Sequence, residues 1–101
     1  MASRLSLHNK FKELIGNNVY FQPPASIRMS YPCIIYQIEP PDMKHADDIH
    51  YLFTNHYKVI YVDRDPDNDM KITLLKSFPM MRMTNFMTVD NLNQYHYDLY
   101  Y

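Results

Sequence analysis

Tyr31 to Ile38 reads YPCIIYQI, a run with apolar side chains on both alternating faces and Pro32 held near its start. A strand that is apolar on both sides is covered on both sides, and a proline, which cannot donate to a ladder, is tolerated at a strand's beginning. The stretch therefore predicts a central strand. Upstream of it, Val19 to Gln22 predicts a short strand, and Pro23 and Pro24 force an extended turn between the two. Further upstream, Leu7, Phe11, Leu14 and Ile15 fall at i, i+4, i+7 and i+8. That spacing predicts a helix from Arg4 to Ile15, capped by Ser3 and stopped by Gly16, with Lys10, Lys12 and Glu13 on its solvated face.

Downstream, Pro40, Pro41, Asp42, Asp47 and Asp48 mark a loop. From Ile49 to Val62 the odd positions are Ile49, Tyr51, Phe53, Asn55, Tyr57, Val59 and Tyr61, against His50, Thr54, His56 and Lys58 at even ones, the pattern of a half-buried strand. Fully extended it would run roughly 45 Å, longer than a globule of this size is wide. Either it bends around its own core at a bulge, or it projects and is covered by another chain. Asp63 to Asp69, DRDPDND, is a turn that can cap a second helix with Met70, Leu74, Leu75 and Phe78 on one side and Pro79 at its end. Met80 to Val89 reads as a Met-rich strand, Asp90 to Asn93 as a turn, and Tyr95 to Tyr101 as a last strand with Tyr95, Tyr97, Leu99 and Tyr101 on one face. The order is αβββαββ. It predicts one α+β domain over residues 1–101, a mostly antiparallel sheet of four to five strands with two helices packed on one face.

Composition narrows the function classes. A chain of 101 residues holds one core, and a single glycine excludes the glycine-rich loops that cradle phosphates. The net charge of −1 gives no electrostatic reason to bind nucleic acid or an anionic membrane. The longest apolar runs, Cys33 to Tyr36 and Val59 to Val62, are far short of a membrane span, and the first residues lack the hydrophobic run of a signal peptide. Cys33 is the one cysteine, set among Pro32, Ile34 and Ile35, and reads as a buried inert thiol in a chain without an internal disulfide.

The candidate chemistry fails on inspection. Asp63, Asp65, Asp67 and Asp69 alternate as in the first half of a calcium loop, but there is no glycine at the sharp turn, and the twelfth position is Leu74 instead of glutamate. His8, His45, His50, His56 and His96 have no metal-ligand spacing. The tyrosines are not interleaved with lysine and arginine as a base-stacking platform requires, since Tyr51 to Tyr61 holds only Lys58. Catalytic, cofactor and metal residues are expected to be absent. Met80, Met81, Met83 and Met87 form either an adaptable contact surface or core filler.

Read in order, VYFQPP at Val19 to Pro24, YPCIIY at Tyr31 to Tyr36, DRDPD at Asp63 to Asp67, DNLN at Asp90 to Asn93 and the terminal LYY resemble the small tail-terminator, or tail-completion, proteins of long-tailed bacteriophages. The likeness runs from about Arg4 to Tyr101. It implies a non-enzymatic virion protein, assembled in the host cytoplasm. A ring of subunits, a hexamer to match the tube, would cap the tail tube, end its polymerisation and join the tail to the head's neck proteins. The partners implied are the tail tube protein, a head-completion or neck protein and further copies of the chain. DNA would pass through the lumen without specific binding, and no membrane is involved. A different neck or minor capsid component at the head-tail connector is the alternative. Candidate subunit-interface residues are Tyr51, Phe53, Tyr57 and Tyr61, from the overlong strand, and Asp65 and Asp67 are candidates for lining the lumen. Residues 1–28 carry a net charge of +3 and residues 29–48 a net −3, which could set the register between neighbours.

Overall fold

The computed structural model describes residues 4–24, 26, 28–39 and 55–101. They form an α+β domain in the order α1 (Arg4–Ile15), β1 (Val19–Phe21), β2 (Cys33–Glu39), β3 (His56–Asp63), α2 (Met70–Ser77), β4 (Met81–Val89) and β5 (Leu92–Tyr100). The five strands make one mixed sheet in the order β1-β2-β3-β5-β4. β1 runs parallel to β2, and the remaining neighbours are antiparallel. A parallel neighbour cannot be reached through a tight hairpin. The stretch with Pro23 and Pro24 is therefore a crossover, where the sequence suggests only a turn.

Register explains the core. Ile34 lies opposite Tyr61 and Tyr36 opposite Val59; Val59 in turn lies opposite Tyr97, and Tyr61 opposite Tyr95. This row of side chains is one face of the sheet, and Leu7 and Phe11 of α1 join Leu74 and Phe78, from α2 and its end, in a single cluster on it. Phe11 bridges the layers, its ring 5.3 Å from both Tyr36 and Phe78. The helices thus share one face. Tyr36, Tyr57, Tyr61 and Tyr97 are among the largest fully buried side chains. Three of their hydroxyls have partners: Tyr36 meets His8 Nδ1 at 2.7 Å, Tyr61 donates to the Asp63 carboxylate, and Tyr97 donates to the Lys71 carbonyl at 3.0 Å. Tyrosine serves as core filler here because each of these polar tips reaches a partner at the core's margin.

Local chemistry sets the ends. Gly16, at φ +94, closes α1 with its amide donating to the Lys12 carbonyl at 2.8 Å. Ser3, the expected cap, lies outside the described residues. At the start of α2, Asn68 Oδ1 accepts from the Lys71 amide, so the capping oxygen comes from Asn68 and not from an aspartate. The β4–β5 turn is only Asp90 and Asn91, at φ 53 and 64, and Leu92 and Asn93 already belong to β5. Two successive positive φ angles are those of a type I′ turn, which Asp and Asn tolerate better than other side-chain-bearing residues.

One expectation needs correction, and another is described only in part. β2 begins at Cys33, after Pro32, and is covered on both sides only at its start: Cys33, Ile34 and Tyr36 are fully buried, Ile35 is half-buried on the helix-free face, and Ile38 is 49% exposed. The overlong strand is described only as β3 plus Asn55, which exchanges backbone hydrogen bonds with Tyr101. Its proposed first residues, 49 to 54, lie outside the described residues.

Candidate assembly surface

The sheet has two edges of different character. β1 has three residues and is followed by Gln22, which stays tied to β2: its amide donates to the Tyr36 carbonyl and its side-chain oxygen accepts from the Ile38 amide. Pro23 and Pro24 then end any further pairing. A short, proline-ended edge offers little template to another strand. β4, the other edge, has nine residues and contains no proline and no lysine.

On β4 only Met81 is buried, while Phe86, Met87 and Val89 are exposed, as is Met80 just before the strand at 55%. The methionine run therefore divides. Met81 and Met83 pack on the core, and Met80 and Met87 face outward. A bulge between Met83 and Asn85 separates the two halves and flips which face the later residues occupy. Past it, Phe86 leans on Tyr95 with ring centroids 5.1 Å apart, and half of its surface remains open. Arg82, the strand's one charge, lies 3.5 Å from Asp98, whose other oxygen is 3.3 Å from His56 Nε2.

The helix-free face carries this His56–Asp98–Arg82 group, with His56 stacked on Tyr100 at 4.5 Å. His96 lies on the same face with its Nε2 buried and without a hydrogen-bond partner among the described residues. Burial, with the Lys58 charge adding to it, pulls its pKa below the usual 6.5. At the other side of the sheet His8 is shifted the same way by burial and by Lys12 and Arg4. Cys33 is fully buried and its thiol is pushed up to about 12 by desolvation, the state of an unreactive thiol.

Of the residues singled out from the sequence, Tyr57 and Tyr61 are 0% and 2% exposed, so their side chains serve the chain's own core and offer no surface to a neighbour. Tyr51 and Phe53 lie outside the described residues. Asp65 and Asp67 are exposed in the turn after β3. There Asp63 Oδ1 accepts from the Asp65 amide and Asp65 Oδ1 from the Asp67 amide, each at 2.9 Å, so the alternating aspartates build successive turns. Asp63 is the buried one, held by Tyr61, and its carbonyl accepts from Asn93 Nδ2. Among the described residues no group of three metal-ligating side chains converges, and no helix is long and apolar enough to cross a membrane. On the β4 edge, residue-type reasoning left the methionines open between contact surface and core filler and missed the exposed Phe86 and Val89. The signal for this edge was the absence of charge from Met83 to Val89, directly before a two-residue hairpin turn. Comparison with protein families, curated proteins and solved structures finds no match to this chain.

Proposed function

We propose that this chain is a structural protein of a long-tailed phage virion, a tail terminator whose copies ring the head-proximal end of the tail tube, end its growth and present a docking surface to the neck. The observation that carries the proposal is the contrast between the two sheet edges. One is shortened and closed by proline, and the other is long, nearly uncharged and lined with exposed Phe86, Met87 and Val89. Exposed apolar edges of this kind are sites where another protein is met. The motif order from Val19 to Tyr101 supplies the kind of assembly. In the ring, the β4 edge of each subunit would meet a different patch on the next, a head-to-tail contact that closes by rotation. Six copies would match a hexameric tube, with Asp65 and Asp67 repelling the DNA that passes through the lumen.

The proposal is tested by producing phage without the chain. The expected result is tail tubes of uncontrolled length that do not join to filled heads. Normal-length tubes joined to heads would overturn it.

A further inference from the structure

In a hairpin closed by a two-residue turn, the residues flanking the turn are a hydrogen-bonded pair, and such pairs then alternate along the strands. Val89 pairs with Leu92, Met87 with Gln94 and Asn85 with His96. The alternation leaves the backbone N–H and C=O of Phe86 and Thr88 pointing away from the sheet, at equal distances on either side of Met87.

That arrangement is self-complementary. We infer that residues 85–89 of β4 pair antiparallel with the same residues of a second copy, about a two-fold axis at Met87, so that two five-stranded sheets become one continuous sheet. Phe86 then faces Thr88 of the second copy and each exchanges both backbone hydrogen bonds with the other. Asn85 faces Val89, and Met87 faces itself. The faces agree: Phe86 and Thr88 lie on the helix-covered side with their β5 partners Tyr95 and Asn93, and Asn85, Met87 and Val89 lie on the open side. A two-fold axis perpendicular to the sheet keeps both pairs of helices on the same side.

Charge also favours a second copy. No charged residue lies between Met83 and Val89, so nothing repels across the axis. Arg82 and Asp90 bracket the stretch and fall outside the paired residues, Arg82 held to Asp98 on the open side of the sheet and Asp90 in the turn. The bulge at Met83 and Asn85 and the turn at Asp90 limit the pairing to this stretch, which makes the dimer a weak, concentration-dependent one. The pairing is a property of the free chain. It occupies the edge that the proposed ring would use, so the two exclude one another at any one time.

Cysteine cross-linking of the full-length protein tests the register. Met87→Cys places two thiols across the axis at a non-hydrogen-bonded pair, a separation that a disulfide spans. The buried Cys33 stays out of the reaction. Mild oxidation is expected to convert Met87→Cys into covalent dimer several-fold more completely than Asn85→Cys or the surface control Leu5→Cys. A mixture of Asn85→Cys and Val89→Cys chains should cross-link better than either alone. Met87→Lys, which sets two like charges face to face, should abolish the dimer seen by sedimentation while leaving the thermal midpoint of the dilute chain unchanged. Equal cross-linking at all positions, or a Met87→Lys chain that still dimerises, would overturn the pairing. Neither result bears on the ring, which is tested in particles.

Discussion

Asp63 is a carboxylate taken almost wholly out of water, and it is tolerated because Tyr61 and the Asp65 amide bond to its two oxygens. Asp63→Ala leaves both donors unpaired at the edge of the core and is expected to cost about 1–3 kcal/mol in chemical denaturation. Asp65→Ala, whose oxygen serves an exposed turn, should cost much less. His8 and His96 carry a second expectation. Both are held neutral in the fold, with pKa values lowered from 6.5 mainly by burial, so the unfolded chain binds protons that the folded chain refuses. Their contribution is complete above about 6.5 and is lost as the pH falls through that value toward the lower folded pKa. The denaturation midpoint should therefore fall on acidification from pH 7 to 5. His8→Gln and His96→Gln should each flatten that fall, and a slope unchanged in both variants would contradict the assignment.

At the scale of elements, the helix α1 was legible to the residue because its apolar spacing and Gly16 act locally. The odd-position pattern of β3 and β5 likewise grouped Tyr57, Val59, Tyr61, Tyr95, Tyr97 and Leu99 by face, and that face is the core, although Tyr57 and Tyr61 were read as interface candidates. β2 was less legible. Its run is apolar at every position from Cys33 to Tyr36, so alternation could not tell the helix-covered face from the open one, and Ile35 reads from sequence as well buried as Ile34. The helices cover Ile34. Ile34→Ala is accordingly expected to cost about 2–5 kcal/mol and Ile35→Ala clearly less, measured by denaturant midpoint at constant m-value. The parallel placement of β1 was not legible at all, since strand order depends on contacts between segments distant in sequence. The turn at Asp90 and Asn91 offers a further check. Asn91→Val forces a β-branched residue to positive φ and should destabilise by about 1–2 kcal/mol, while Asn91→Gly should be neutral or mildly stabilising.

For the whole molecule, the site was partly legible: the methionine-rich stretch stood out, but its role could not be fixed until β4 was placed at an edge instead of in the middle of the sheet. Tyr57 and Tyr61, which looked the better interface, are consumed by a core in which tyrosines are among the largest side chains. The net charge of −1 and the dispersal of basic residues predict that the isolated chain binds double-stranded DNA weakly or not at all at physiological salt, and submicromolar binding in a titration would contradict passive passage through a lumen. Whether the chain is a ring subunit at the end of a tail tube is decided by imaging assembled particles with this chain located in the density. The expected result is a closed sixfold ring at the head-proximal end of the tube, with residues 81–89 at the contact between neighbouring subunits. A single attached copy, or a twelvefold collar seated against the portal, would contradict it.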